Sequence, residues 1–313
     1  MRALVISGGG SKGAFGGGVA QYLLQEGGKD YDLLVGTSTG SLLVPHLALN
    51  NIEKIKNIYT SVNQNSIFSV CPFVVKKDKW GEDTIAINHF SVIRNFLRGS
   101  KTFGESKKLR KLITDTFTRE DYEHLQKRDK EVLVTVSNLS LHKTEYKSSK
   151  EETYEDFCDW IWMSSNYIPF MSLAKKNGCE YADGGFGSLV PIKAAIDRGA
   201  TEVDVIILET EITLYNSLPS TNVFSLISNL HGFMMDRVEK QNITIGKYAA
   251  TQNNAIINLY YTPTVLTTNS LIFNKEKMTE WWQSGFDYAK DKNIQINELK
   301  AVSYTHLTLP TKA

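Results

Sequence analysis

Long apolar runs are missing from this sequence. None approaches the ~18 residues that a membrane-spanning helix needs. The first apolar stretch, Ala3-Leu4-Val5-Ile6, runs straight into glycines, whereas a secretory leader needs about 7–15 apolar residues in a row, so no leader is expected. Cysteine is scarce. Cys71, Cys158 and Cys179 are odd in number and have no CxxC spacing, which argues against a disulfide framework and against a four-ligand zinc site. Buried thiols in a reducing, cytoplasmic setting are expected. Neither sign of charge dominates: 35 Lys and Arg stand against 34 Asp and Glu, a net charge of +1. Nucleic acid is therefore not expected as a partner, because phosphate binding needs a basic excess on one face. The runs Lys76-Lys77-Asp78-Lys79 and Lys107-Lys108-Leu109-Arg110-Lys111 read as solvated faces.

What is present suffices for a sizeable core. The 313 residues are 42% hydrophobic and 22% charged, outside the composition of disordered chains. Arg2 to Ile6 reads as a short buried strand, Ser7 to Gly13 as a glycine turn, and Ala14 to Glu26 as a helix ended by Gly27-Gly28. Asp32 to Val35 is a second strand, stopped by Gly36, and Ser41 to Leu49 and Ile52 to Val62 are helices. Strand, glycine turn, helix, strand, turn, helix is the alternation of an α/β fold with a parallel sheet. Further on, Phe90 to Leu97 and Lys107 to Phe117 read as helices, Val132 to Val136 as a strand with Lys143 to Tyr146 as its partner, and Phe157 to Met163 as a helix. Val203 to Leu208 is a strand, Val223 to Val238 one face of a long helix, Ala255 to Tyr261 a last strand and Lys275 to Ala289 a last helix. Lys76 to Asp83 is expected to be a surface loop. One domain over 1–300 is expected, with a disordered tail at 301–313 that lacks periodicity and reads as a translated sequencing-adapter scar.

Three constrained sites carry chemistry. Gly8-Gly9-Gly10-Ser11-Lys12-Gly13 lies between a strand and a helix. Glycines let backbone N–H groups approach an anion, and the following helix adds a positive dipole end. The anion is a phosphate or a transient oxyanion. The loop also satisfies GxGxxG, but a dinucleotide fold needs an acidic residue at the end of the second strand. Here that strand ends Gly36-Thr37-Ser38-Thr39-Gly40, with no acid. It is instead GxSxG on a strand-to-helix turn, the nucleophile elbow. The third site, Tyr181-Ala182-Asp183-Gly184-Gly185, is either a simple Asx turn or a carboxylate presented at a strand end. None of His46, His89, His124, His142, His231 and His306 lies in such a constrained turn.

The glycine loop with its basic Lys12, the GxSxG elbow and the Asp-Gly-Gly turn, in this order, resemble the patatin-like phospholipase family. Tyr31 to Gly40 is similar to the plant patatin elbow. Met163-Ser164-Ser165-Asn166-Tyr167-Ile168-Pro169-Phe170 resembles the family's Ala/Ser-rich segment before its aspartate. The likeness covers about residues 1–210. Two departures stand out: Ser41 replaces a glycine of the plant proteins, and Phe186 to Pro191 lacks the family's asparagine.

The resemblance implies a three-layer α/β fold with a mostly parallel central sheet flanked by helices. It implies a lipid acyl hydrolase with a serine–aspartate dyad and an acyl-serine intermediate. Ser38 would be the nucleophile and Asp183 the base. The Gly9 and Gly10 N–H groups would be the oxyanion hole, with Lys12 fixing the loop or supporting the charge. No metal or organic cofactor is implied. The substrate would be an acyl ester of a phospholipid, lysophospholipid, galactolipid or neutral glyceride, met by transient contact with a membrane surface. Ile67 to Val75, followed by lysines, is a candidate apolar entrance, and Met234-Met235 a candidate channel lining; both also read as core. The alternatives are an α/β-hydrolase-type esterase with a Ser38-Asp183-His231 triad, a non-enzymatic dinucleotide- or phosphate-binding module, and a lipid-binding pseudo-enzyme.

Overall fold

The structure is a computed structural model that describes residues 1–77, 81, 83–212, 220 and 223–307. It opens with β1 (Arg2–Ile6), a 3-10 turn at Gly10–Lys12 and α1 (Gly13–Gln25), then β2 (Leu33–Thr37), α2 (Thr39–Ala48), α3 (Ile52–Tyr59) and a single turn, α4 (Gln64–Ile67). A hairpin, β3 (Phe73–Lys77) and β4 (Asp83–Ile87), leads to α5 (His89–Leu97), α6 (Lys107–Thr116) and α7 (Arg119–Lys127). Next come β5 (Glu131–Asn138), β6 (Lys143–Ser148), α8 (Tyr154–Ser164), β7 (Ala174–Lys176), β8 (Cys179–Asp183), α9 (Gly185–Ser188) and α10 (Ile192–Asp197). The chain finishes with β9 (Glu202–Ile207), α11 (Val223–Gln252), β10 (Ile256–Tyr261) and α12 (Lys275–Leu307).

Eight strands form one sheet in the order β10-β9-β1-β2-β5-β8-β7, with β6 also on β5. The pairings from β10 to β5 are parallel and those of β6, β7 and β8 are antiparallel. The central strands read as unbroken apolar runs because both faces are covered. Leu4 and Ile6 of β1 point to one face, with Phe15 of α1, Leu43 of α2, Trp160 of α8 and Trp282 of α12. Ala3 and Val5 point to the other, with Ile196 of α10 and Ile243 of α11. This is the expected three-layer α/β arrangement.

In the run Gly16-Gly17-Gly18 of α1, Gly16 packs on Leu208, and Gly17 and Gly18 are explained by α12. A Cβ on Gly18 would lie 1.9 Å from the Trp282 carbonyl oxygen, and one on Gly17 2.2 Å from the Trp282 ring. The two helices approach so closely that only glycine fits between them. The Trp282 indole N–H then reaches Gln21 at 2.7 Å.

Several expectations need correcting. Gly36 does not stop β2, which continues to Thr37; the glycine is there because its Cβ would lie 2.5 Å from the Gly40 backbone. The expected loop from Lys76 to Asp83 is the tip of the β3–β4 hairpin, with 78–80 and 82 outside the described residues. The last helix runs through 301–307, and the remainder of the expected tail, 308–313, lies outside the described residues. No described helix is long and apolar enough to cross a membrane. The three cysteines are unpaired, Cys158 buried and the other two half-buried.

Candidate active site

β2 runs parallel to β5 and ends with Thr37 opposite Thr135. β8 runs antiparallel to β5 and ends with Asp183 opposite Val136. β6 occupies the other edge of β5 from Leu133 to Asn138, so β2 and β8 share one edge. They run toward each other and meet head to head. At the meeting point stand Ser38, the residue after β2, and Asp183, the last of β8, 145 apart in sequence, and the Ser38 hydroxyl donates to Asp183 Oδ2 at 2.6 Å.

Ser38 is held at φ 54° and ψ −119° between β2 and α2, a conformation that L-residues rarely adopt and that persists only under restraint. The restraints come from polar neighbours. Ser164 Oγ accepts the Ser38 N–H at 2.9 Å. The Ser38 carbonyl accepts from Ser41 Oγ at 2.5 Å and from Ser165 Oγ at 3.1 Å. Ser41, a departure from the plant pattern, therefore closes the elbow turn. The same segment holds the aspartate: the Asn166 carbonyl accepts the Asp183 N–H at 2.9 Å, and the Ser164 carbonyl accepts the Gly184 N–H at 3.2 Å. In the sequence Ser164, Ser165 and Asn166 show only a family likeness; in the structure they brace the two motifs. Polar residues directly after an apolar helix were the signal for it.

Asp183 is buried, 2% exposed. Burial pushes its carboxyl up to about 7, against the hydrogen bonds from Ser38 and from the Gly185 N–H at 2.8 Å. A carboxylate with only two donors in an apolar wall is a stronger base than one in water.

The glycine loop packs directly on the elbow. A Cβ on Gly8 would lie 3.1 Å from Ser38 Cβ. Gly10 has φ +56°, and its Cβ would lie 2.2 Å from the Ser270 carbonyl oxygen, so a side chain is excluded on both counts. The Gly10–Ser11 peptide is clamped: the Gly10 carbonyl accepts from Thr39 Oγ1 at 2.9 Å and from the Tyr59 hydroxyl at 2.5 Å, and the Ser11 N–H donates to Ser270 at 2.8 Å. Among the described residues, the Gly9 and Gly10 N–H groups donate to no protein acceptor. Lys12, expected to fix the loop or to support the charge, is buried with its ammonium paired to Glu209. Next to that pair, Glu239 of α11 is buried with one oxygen lacking a partner, and burial together with Glu209 pushes it up to about 8.

His231 stands on α11 among aromatic rings, 5.7 Å from Tyr167 and 5.9 Å from Phe186. Its Nδ1 has no hydrogen-bond partner, and burial pushes its pKa down. Among the described residues, no imidazole stands between Ser38 and Asp183. Met235 reaches the site, its methyl lying 2.6 Å from where a Cβ on Gly185 would be. Of the expected apolar entrance, Ile67, Phe68 and Phe73 are core while Val74 and Val75 are exposed. Among the described residues, no group of three His, Cys, Asp or Glu could hold a metal ion.

A family model for patatin-like phospholipases matches residues 4–196, and the chain belongs to that family. Solved structures similar to the chain include that of VipD from Legionella pneumophila, at 14% identity and a TM-score of 0.44, covering 93% of this chain and 66% of that one. No curated protein sequence matches.

Proposed function

We propose that the chain is a lipid acyl hydrolase that cleaves carboxylic esters through an acyl-serine intermediate. Ser38 Oγ attacks the ester carbonyl while its proton passes to Asp183 Oδ2. The carbonyl oxygen becomes an oxyanion, received by the unclaimed N–H groups of Gly9 and Gly10 at the positive end of the helix that follows. In comparable enzymes one such donor is worth roughly 3–4 kcal/mol of barrier. As the intermediate collapses, the ester C–O bond breaks and Asp183 returns the proton to the leaving alcohol. Water then attacks the acyl-serine and gives its proton to Asp183, and the fatty acid leaves as Ser38 is restored. The paired Lys12 serves the loop by anchoring it to Glu209. The observation that carries this reading is the direct 2.6 Å contact between Ser38 and a buried carboxyl in a member of a phospholipase family. That contact favours the dyad over the His231 triad.

The test is a panel of phospholipids, lysophospholipids, galactolipids and glycerides, with free fatty acid read by mass spectrometry. Fatty acid should be released from at least one class by the parent and from none by Ser38→Ala. Equal release by the two proteins would overturn the proposal.

A further inference from the structure

We infer that two outward apolar rows, one on α5 and one on the first half of α11, form a docking surface for an anionic phospholipid membrane.

On α5, Phe90, Ile93 and Leu97 recur at helical spacing and are 77%, 58% and 84% exposed, while Val92 and Asn95 face inward. On α11, Leu226, Leu230 and Phe233 do the same, with Phe233 64% exposed. Ile227, Met235 and Val238 of that helix pack inward instead. A single exposed leucine is ordinary. Two rows at helical period are a face built to be covered.

Both helices bear on one aromatic cluster. Phe96 of α5 lies 5.8 Å from Phe103, which lies 5.7 Å from Phe170. Phe170 meets His231 of α11 at 6.3 Å, and His231 meets Phe186 at 5.9 Å. Phe186 follows Asp183-Gly184-Gly185 directly. The two rows therefore flank the aromatic wall beside Asp183, where a lipid chain would have to arrive. That last link rests on the hydrolase reading; the docking itself does not.

Charge selects the occupant. α5 has no acidic residue, and Arg94 and Arg98 make no ion pair among the described residues. α11 has no charged side chain from Val223 to Met235. The nearby hairpin exposes Val74, Val75, Lys76 and Lys77 in succession, and its Phe73 lies 5.4 Å from Phe170. The acidic residues nearest these elements, Asp83 and Asp236, are already paired, with Lys77 and Lys240. An apolar face bordered by Arg94, Arg98 and Lys76 fits an interfacial helix on an anionic bilayer. A symmetric contact with a second copy would set these cations near their own kind, with the neighbouring acidic groups already paired to lysines.

The test uses full-length Ser38→Ala, so that binding is read without turnover, and vesicles of phosphatidylcholine alone or mixed equally with phosphatidylglycerol. The chain should sediment with the mixed vesicles. The pairs Ile93→Asp/Leu97→Asp and Leu230→Asp/Phe233→Asp should each weaken partitioning at least about tenfold, with unchanged circular dichroism. Arg94→Ala/Arg98→Ala should weaken it about tenfold and remove the preference for the anionic vesicles. A parent that stays in solution, or aspartate variants that sediment like it, overturns the docking surface. Equal binding to both vesicle types overturns the anionic preference. A dimer that the aspartate variants dissolve, without vesicle binding, assigns the face to a second copy. Failure of the hydrolase reading shows separately, as lipid cleavage surviving in Ser38→Ala.

Discussion

Ser38 and Asp183 divide the work of the proposed site between strain and burial. The serine is held in a disfavoured backbone conformation that lifts its hydroxyl out of the turn, and the aspartate is kept out of water, which in the proposed mechanism lets it accept a proton near neutrality. If Asp183 is the base, Asp183→Asn should lower kcat on a short-chain aryl ester by roughly three orders of magnitude or more, because an amide cannot take the serine proton. His231→Ala should stay within a few-fold. A severe loss in His231→Ala with the fold intact would favour the triad instead. The direction of the Asp183 shift also sets a pH profile. The base form exists above its pKa of about 7, so kcat/KM should rise through about pH 7 and level off. A profile already flat from pH 5 upward would contradict it.

At the scale of elements, the end of α8 matters most. It touches β2 through Ser164 Oγ and the turn after β8 through the Ser164 carbonyl. Ser164→Ala leaves the Ser38 N–H without its acceptor and frees the elbow to relax. A displacement of about 1 Å costs on the order of a hundredfold in rate, so a loss of about ten- to a hundredfold should appear in kcat, with KM for the aryl ester unchanged. Ser164→Thr, which restores the hydroxyl, should recover most of it; a loss confined to KM would remove Ser164 from the positioning role. α7 shows what sequence periodicity overlooks. Tyr122 and Leu125 are its buried contacts, too few for an amphipathic pattern, but Thr118 and Asp121 form a reciprocal cap at its start, a signal present in the sequence.

For the whole molecule, the buried Asp183 carboxyl sets a stability cost that depends on pH. Its pKa is raised from 3.8 to about 7 in the folded chain. Between those values the folded chain holds a proton that the unfolded chain releases, so stability falls as pH rises through this window and stays low above about 7. Asp183→Asn removes the charge at every pH. Its advantage over the parent in urea unfolding should grow by roughly 2–3 kcal/mol between pH 5 and pH 8, at about 1.4 kcal/mol per pKa unit. An advantage that is the same at both pH values would mean that burial does not act on this carboxyl.

Much of the molecule was legible in the sequence because it is local. Alternating strands and helices, the glycine loop after β1 and the elbow after β2 are short segments whose chemistry permits few conformations, and their order pointed to the family. The partnership of Ser38 with Asp183 was legible only as a likeness to that family. Its physical cause is that β2 and β8 end head to head on one edge of β5, a matter of strand order and direction that no local signal encodes. The pairing of Lys12 with Glu209, the clamp of Thr39 and Tyr59 on Gly10, and the glycines of α1 under Trp282 likewise join residues far apart along the chain. Such contacts exist only once packing has brought the segments together. Local conformational preference determined the elements and the motifs, and burial and the order of strands in the sheet decided which of them meet.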